Sequence, residues 1–141
     1  MQQLARCSRL ELYSPGDLDW PKDFDRWLTA IEEAGGVVEE ITLALLEELA
    51  ELDGEPSEES ATFKRVRQAR RHRLWRISHP YEPDIAIRII FWFESNLLVV
   101  ALVGFNKAKL GDVWYTSAAV RAEALVDQWR RTYQRGTEGT T

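Results

Sequence analysis

Residues 84–115 read DIAIRIIFWFESNLLVVALVGFNKAKLGDVWY, two strongly apolar segments followed by a loop that carries two of the chain's four lysines. In the first segment Ile85, Ile87, Ile89, Phe91 and Phe93 alternate with Ala86, Arg88, Ile90 and Trp92, the period of a strand that sends side chains to opposite faces. Glu94, Ser95 and Asn96 suit a hairpin turn. Leu97 to Gly104 is apolar throughout, which predicts a central strand covered on both faces and paired antiparallel with the first.

Upstream the period changes. Phe24, Trp27, Leu28 and Ile31 make the stripe of an amphipathic helix that Pro21 opens and Gly35-Gly36 closes. Val38, Ile41, Leu45, Leu49 and Leu52 form a second stripe, with Glu39, Glu40, Glu47, Glu48 and Glu51 mostly turned away from it. Before this pair, Leu10 to Tyr13 reads as a short strand ended by the turn signals Ser14, Pro15, Gly16 and Asp17. After it, residues 54–60 read as a loop, and Leu74 to Ser78 as a strand. The two prolines within residues 79–83 predict a turn or insertion. Thr116 or Ser117 is the expected cap of a last helix whose stripe is Ala118, Ala122, Leu125 and Trp129. Trp27, Trp75, Trp92 and Trp129 are assigned to the core. The expected architecture is α+β: an antiparallel sheet packed against an N-terminal helical pair, with a C-terminal helix. One domain spans 1–135, and 136–141 is expected to be a disordered tail.

Charge divides the chain. Residues 1–61 hold 16 acidic and 4 basic side chains, a net of −12, whereas residues 62–141 hold 7 and 14, a net of +7. The overall −5 therefore hides a basic half, and such asymmetry points to an anionic partner for one surface. Its densest part is Lys64, Arg65, Arg67, Arg70, Arg71, Arg73 and Arg76, seven cations in thirteen residues. The middle of this tract reads as a helical turn or an irregular segment.

Cys7 is the only cysteine, so no internal disulfide forms and a reducing, cytoplasmic setting is expected. The longest apolar run, Leu97 to Val103, is far short of the roughly 20 residues that span a bilayer, so no membrane role is expected. His72 and His79 have no further ligand at metal spacing, and neither a metal nor another cofactor is expected.

The order of elements, the strand Arg88-Ile89-Ile90-Phe91, the apolar strand ending in Gly104-Phe105-Asn106-Lys107, the lysine loop and Trp114-Tyr115 resemble the RelE/HigB-like toxin superfamily, in particular its phage-derived and actinobacterial HigB-type members. That resemblance implies a RelE-like fold and a metal-independent mRNA endoribonuclease. It also implies action on ribosome-bound message and neutralisation by a cognate helix-turn-helix, HigA-like antitoxin of a type II module. Cleavage at a 2′-hydroxyl needs a base, an acid and cations that balance charge growing on the phosphate. Arg76 and Arg88 are the expected phosphate clamps, and Lys107 or Lys109 a further charge or a base. Tyr115, Trp114 or Phe105 would stack on unpaired bases, while Lys64, Arg67, Arg70, Arg71 and Arg73 would hold the RNA backbone. Arg88 has an alternative reading as the partner of a helix carboxylate, and the tract as a solvated face or the seat of an acidic antitoxin segment. The low pI and Asp112 inside the lysine loop support a competing expectation, a catalytically silent phage or prophage module that keeps the fold to bind a protein.

Overall fold

A computed structural model describes residues 17–78, 84–95, 98–110 and 114–140, excepting the side chains of residues 109–110 and 133–140. Strand β1 is Asp17–Asp19, followed by helices α1, Lys22–Ala34, and α2, Gly36–Ala50. Strands β2, Phe63–Arg65, β3, Leu74–Ser78, β4, Ile87–Ser95, and β5, Leu98–Asn106, come next. A single turn, α3, Lys107–Leu110, and a long helix, α4, Trp114–Thr140, complete the order.

The strands form one sheet in the order β1-β5-β4-β3-β2. From β2 to β5 every pairing is antiparallel, but β1 runs parallel to β5. The sheet is therefore mixed, where the sequence predicts an antiparallel one. Three residues contribute one buried side chain, Leu18, and so little surface carries no sequence signal of direction. Asp17, expected in a turn, opens this strand; the strand expected at Leu10–Tyr13 lies outside the described residues, as does the turn at 79–83.

Helices α1 and α2 cover one face. Phe24, Leu28, Ile41, Leu45, Leu46 and Leu49 pack there against Ile87, Ile89 and Phe91. Between the helices Gly35 takes φ 68°, and its N–H closes α1 on the Ile31 carbonyl at 3.0 Å. A residue with a Cβ adopts that conformation only with strain, so glycine lets two helices follow each other without a linker. The other face packs Ile90, Trp92, Val100 and Leu102 against Ala118, Ala119, Ala122, Leu125 and Val126 of α4. Each large apolar side chain buried in these layers contributes about 1.5–3 kcal/mol.

Helix α4 starts earlier than the sequence predicts. Thr116 and Ser117 lie exposed inside its first turns instead of capping it, because Tyr115 is already buried and draws the helix upstream. Its backbone also continues to Thr140, across the stretch expected as a tail.

One irregularity decides what the sheet presents to α4. Ile90 pairs with Val103 but Phe91 with Ala101, so β5 carries Leu102 as an extra residue. A bulge of this kind shifts the side-chain phase by one. Val99 and Ala101 accordingly enter the α1/α2 core, while Leu102, Val103 and Phe105 all enter the α4 core. Gly104 then faces Trp27 of α1 at very close range, and Phe105 is delivered to the start of α4.

Candidate functional site

The sheet register places cations in rows on the α4 face. Lys64 stands directly opposite Arg76 in the β2–β3 pair, and Arg76 opposite Ile90. In the next row Ser78 faces Arg88, and Arg88 faces Phe105. Like charges directly opposite each other weaken a sheet. Lys64 and Arg76 are thus arranged against local stability, and arrangements of that sort gather where a site is being built.

Lys107 joins them through a backbone lock. Asn106 Oδ1 accepts the N–H groups of Ala86 at 3.0 Å and Ala108 at 3.1 Å, and the Lys107 N–H donates to the Ala86 carbonyl at 2.8 Å. The start of α3 is therefore fixed to the chain entering β4. From α4 comes Tyr115, only 6% exposed, its ring meeting Phe105 edge to face at 5.2 Å between centroids. The Arg76 guanidinium lies 5.5 Å from the centre of the Tyr115 ring and the Lys107 ammonium 5.8 Å from it. Two cations on one ring draw on its electron-rich surface, worth about 0.5–2 kcal/mol each. Arg76 also donates to Ser78 Oγ at 2.5 Å.

Arg76, Lys107 and Tyr115 line a pocket of about 250 Å³ together with Lys64, Arg65, Arg67 and Glu59. The Tyr115 hydroxyl is buried and has no hydrogen-bond partner among the described residues. An uncharged donor beside several cations in a small concavity is an arrangement that can accept an anion.

Arg88 stays outside this lining. It is half-buried in the neighbouring row, with Nη1 donating to the Ile87 carbonyl at 3.1 Å and Nε buried without a partner among the described residues. No described carboxylate pairs with it, so the alternative reading of a helix ion pair has no support here. The side chain of Lys109 lies outside the described set. Phe105 is 3% exposed and packs edge to face against both Trp114 and Tyr115, so it offers no open ring face for stacking; Trp114 is half-buried, and neither lines the pocket.

The basic tract is dispersed by acids. Arg67 pairs with Glu59 at 2.9 Å, Arg71 with Asp127 at 2.9 Å and Arg73 with Glu55 at 3.1 Å. Glu55 also accepts the Trp75 indole N–H at 2.7 Å, which takes Arg73 toward the α1/α2 side. Arg65 lies over Trp75 on that same side, and Arg70 is exposed. Of the tract's seven cations, Lys64, Arg65, Arg67 and Arg76 line the pocket, whereas Arg70, Arg71 and Arg73 do not.

Two carboxylates of α4 hold the loop between β2 and β3. Buried Glu123 accepts the backbone N–H groups of Arg71 at 2.5 Å and His72 at 2.9 Å. One turn later Asp127 meets the His72 ring at 2.9 Å. The hydrogen bond from His72, then that from Arg71, holds the Asp127 carboxyl below its ordinary pKa. Glu59 is held low in the same sense, first by the Arg65 N–H and then by Arg67. Glu59, Glu123 and Asp127 were not singled out from the sequence. For the last two the signal was available, since acids at i and i+4 on an otherwise apolar helix face need partners.

Among the described residues no cluster of three or more His, Cys, Asp or Glu side chains is arranged to hold a metal ion, and no helix is long and apolar enough to cross a membrane. Comparison with protein-family models, curated proteins and solved structures finds no match to this chain.

Proposed function

We propose that this chain is a RelE/HigB-like endoribonuclease toxin of a type II toxin-antitoxin module, and that the pocket between β2, β3, α3 and α4 takes a phosphate of single-stranded message. The observation that carries the reading is the meeting of Arg76 and Lys107 on the ring of Tyr115, whose buried hydroxyl lacks a partner among the described residues. In this reading Arg76 forks onto phosphate oxygens, Lys107 adds a point charge, and Tyr115 donates to the oxygen between them. Lys64, opposite Arg76, contacts the adjoining backbone. Arg88 supports Ser78 and the floor of the site from the next row and does not contact the phosphate. The element order and the helical layers on the two sheet faces support the superfamily assignment, and the acidic pair α1/α2 and the cationic pocket lie on opposite faces.

Induced expression in a bacterial host tests the proposal, with growth followed and messages mapped for cleavage. Growth arrest with cut messages is expected, relieved by Arg76→Ala and Lys107→Ala while both variants stay folded. Growth arrest that survives both changes removes the site assignment; no arrest and no cleavage by purified protein, with or without ribosomes, removes the nuclease reading.

A further inference from the structure

The pocket already contains an anion of its own. Glu59 arrives from the loop between α2 and β2, and its Oε1 accepts the Arg65 backbone N–H at 3.1 Å and the Arg67 guanidinium at 2.9 Å. Ser60 fixes the position of that loop: its N–H donates to the Phe63 carbonyl at 2.8 Å and its Oγ accepts the Phe63 N–H at 3.1 Å. The outward edge of β2 is thereby covered by residues 59–60 and not left open. A backbone N–H beside a guanidinium recognises a phosphate oxygen by the same geometry with which it holds a carboxylate oxygen.

We propose that the Arg65 N–H and the Arg67 guanidinium are a second phosphate subsite, filled in the free protein by the Glu59 carboxylate, so that an RNA chain in the pocket displaces Glu59 to gain its next phosphate contact. The inference rests on the reading of the Arg76–Lys107–Tyr115 pocket as a phosphate site. Three features favour a displaceable ligand over a fixed strut. Arg67 and Glu59 are 76% and 34% exposed at the side chain, and exposed pairs of this kind are weak. Glu59 is ionised at neutral pH, as its lowered pKa requires, so it competes as a charge. Its loop is anchored by Ser60, one residue away, so the carboxylate can leave while the strand edge stays covered.

Inorganic tripolyphosphate is the first probe, titrated into wild-type protein, Glu59→Gln, and Glu59→Gln combined with Arg67→Ala. The amide of Glu59→Gln keeps an acceptor for Arg65 and loses the charge. It is expected to bind about three- to tenfold more tightly than wild type, with the Arg65 amide resonance moving on addition, and the gain should vanish with Arg67→Ala. Equal or weaker binding by the folded Glu59→Gln protein overturns the proposal, as does a gain that persists without Arg67. Wild-type protein gives a second readout that needs no variant: saturating tripolyphosphate should return the Glu59 carboxyl titration toward its ordinary value. An unchanged titration at saturation also overturns the proposal. A short unstructured RNA in the same titrations separates a chain from a free phosphate group, since only a chain steepens the salt dependence by about one further contact in Glu59→Gln. The two readings fail separately: binding that depends on Arg76 and Lys107 with no gain from Glu59→Gln leaves the pocket standing and removes the displacement. A gain that needs Arg67 but not Arg76 or Lys107 does the reverse.

Discussion

Removing one oxygen atom should stabilise this protein and impair it. Tyr115 is 6% exposed, and its hydroxyl is buried with no partner among the described residues, while its ring packs on Phe105 and beneath Arg76 and Lys107. Burying an unpaired hydroxyl costs about 1–3 kcal/mol, whereas the ring contacts do not depend on that oxygen. Tyr115→Phe keeps the ring, the edge-to-face contact and the cation–ring contacts. The folded state should therefore gain about 1–2 kcal/mol, which for a domain of this size raises Tm by roughly 3–7 °C. A buried polar group that weakens the fold persists where something outside the fold uses it. The same variant should accordingly lose affinity for tripolyphosphate or RNA by about tenfold to a hundredfold, the worth of one hydrogen bond to a charged acceptor. Chemical denaturation gives the first quantity and a binding titration under the same buffer the second. A variant that is less stable than wild type, or equally stable with unchanged binding, shows that the hydroxyl is satisfied within the protein and refutes the reasoning.

Gly104→Ala should destabilise by about 1–3 kcal/mol, because a Cβ there would overlap the Trp27 ring at Cζ3 and two further ring atoms. In a Trp27→Ala background the same change should be neutral or stabilising by up to about 1 kcal/mol; equal costs in both backgrounds, measured by denaturation, would show that the ring does not sit on the strand. Glu123→Ala leaves the Arg71 and His72 N–H groups without their acceptor and should cost about 2–4 kcal/mol, with faster amide exchange at both residues, while Glu123→Gln costs less than half of that. Acid should weaken the fold through Asp127 and Glu59. Both carboxyls are lowered from ordinary values of 3.8 and 4.5, so their contribution is complete above those values and is lost as pH falls through the lower folded ones. Asp127→Asn with Glu59→Gln should flatten the stability-versus-pH curve below about pH 4, and an unchanged slope would assign the acid sensitivity to other groups.

How far the sequence carries depends on the range of the forces that each feature uses. Strands β3 and β4 are readable because alternation is local: Ile87, Ile89, Phe91 and Phe93 reach the first core, and Ile90 and Trp92 the second, in the phase that the residues themselves announce. The helices α1 and α2 are readable for the same reason, and so is the apolar stripe of α4. Beyond Leu102 that logic stops. The bulge of β5 reverses the phase, and nothing in an apolar run tells Leu102 from its neighbours. Phe105 is therefore buried against α4 and does not stand open as a base platform. The short strands β1 and β2 were missed or misassigned because three residues have too little pattern to register.

The cations show the same division on a smaller scale. Arg76 lies far from Lys107 and Tyr115 in sequence, yet the three meet, each singled out by its residue type beside a strand that the sequence defines. Arg71 and Arg73 share the dense tract with Arg76 but are claimed by Asp127 and Glu55, acids distant in sequence whose positions depend on tertiary packing. Counting charges finds the tract; only the fold says which of its members have been neutralised. Arg76 and Lys64 differ from their neighbours in facing each other across a sheet pair, where each raises the energy of the other. The opposition persists only with negative charge nearby. Glu59 supplies that charge at one wall of the pocket, and its removal without a replacement should leave the cations less tolerable to the fold. The displacement of Glu59 by a phosphate is thus an exchange of one anion for another, in which the cationic wall stays compensated throughout.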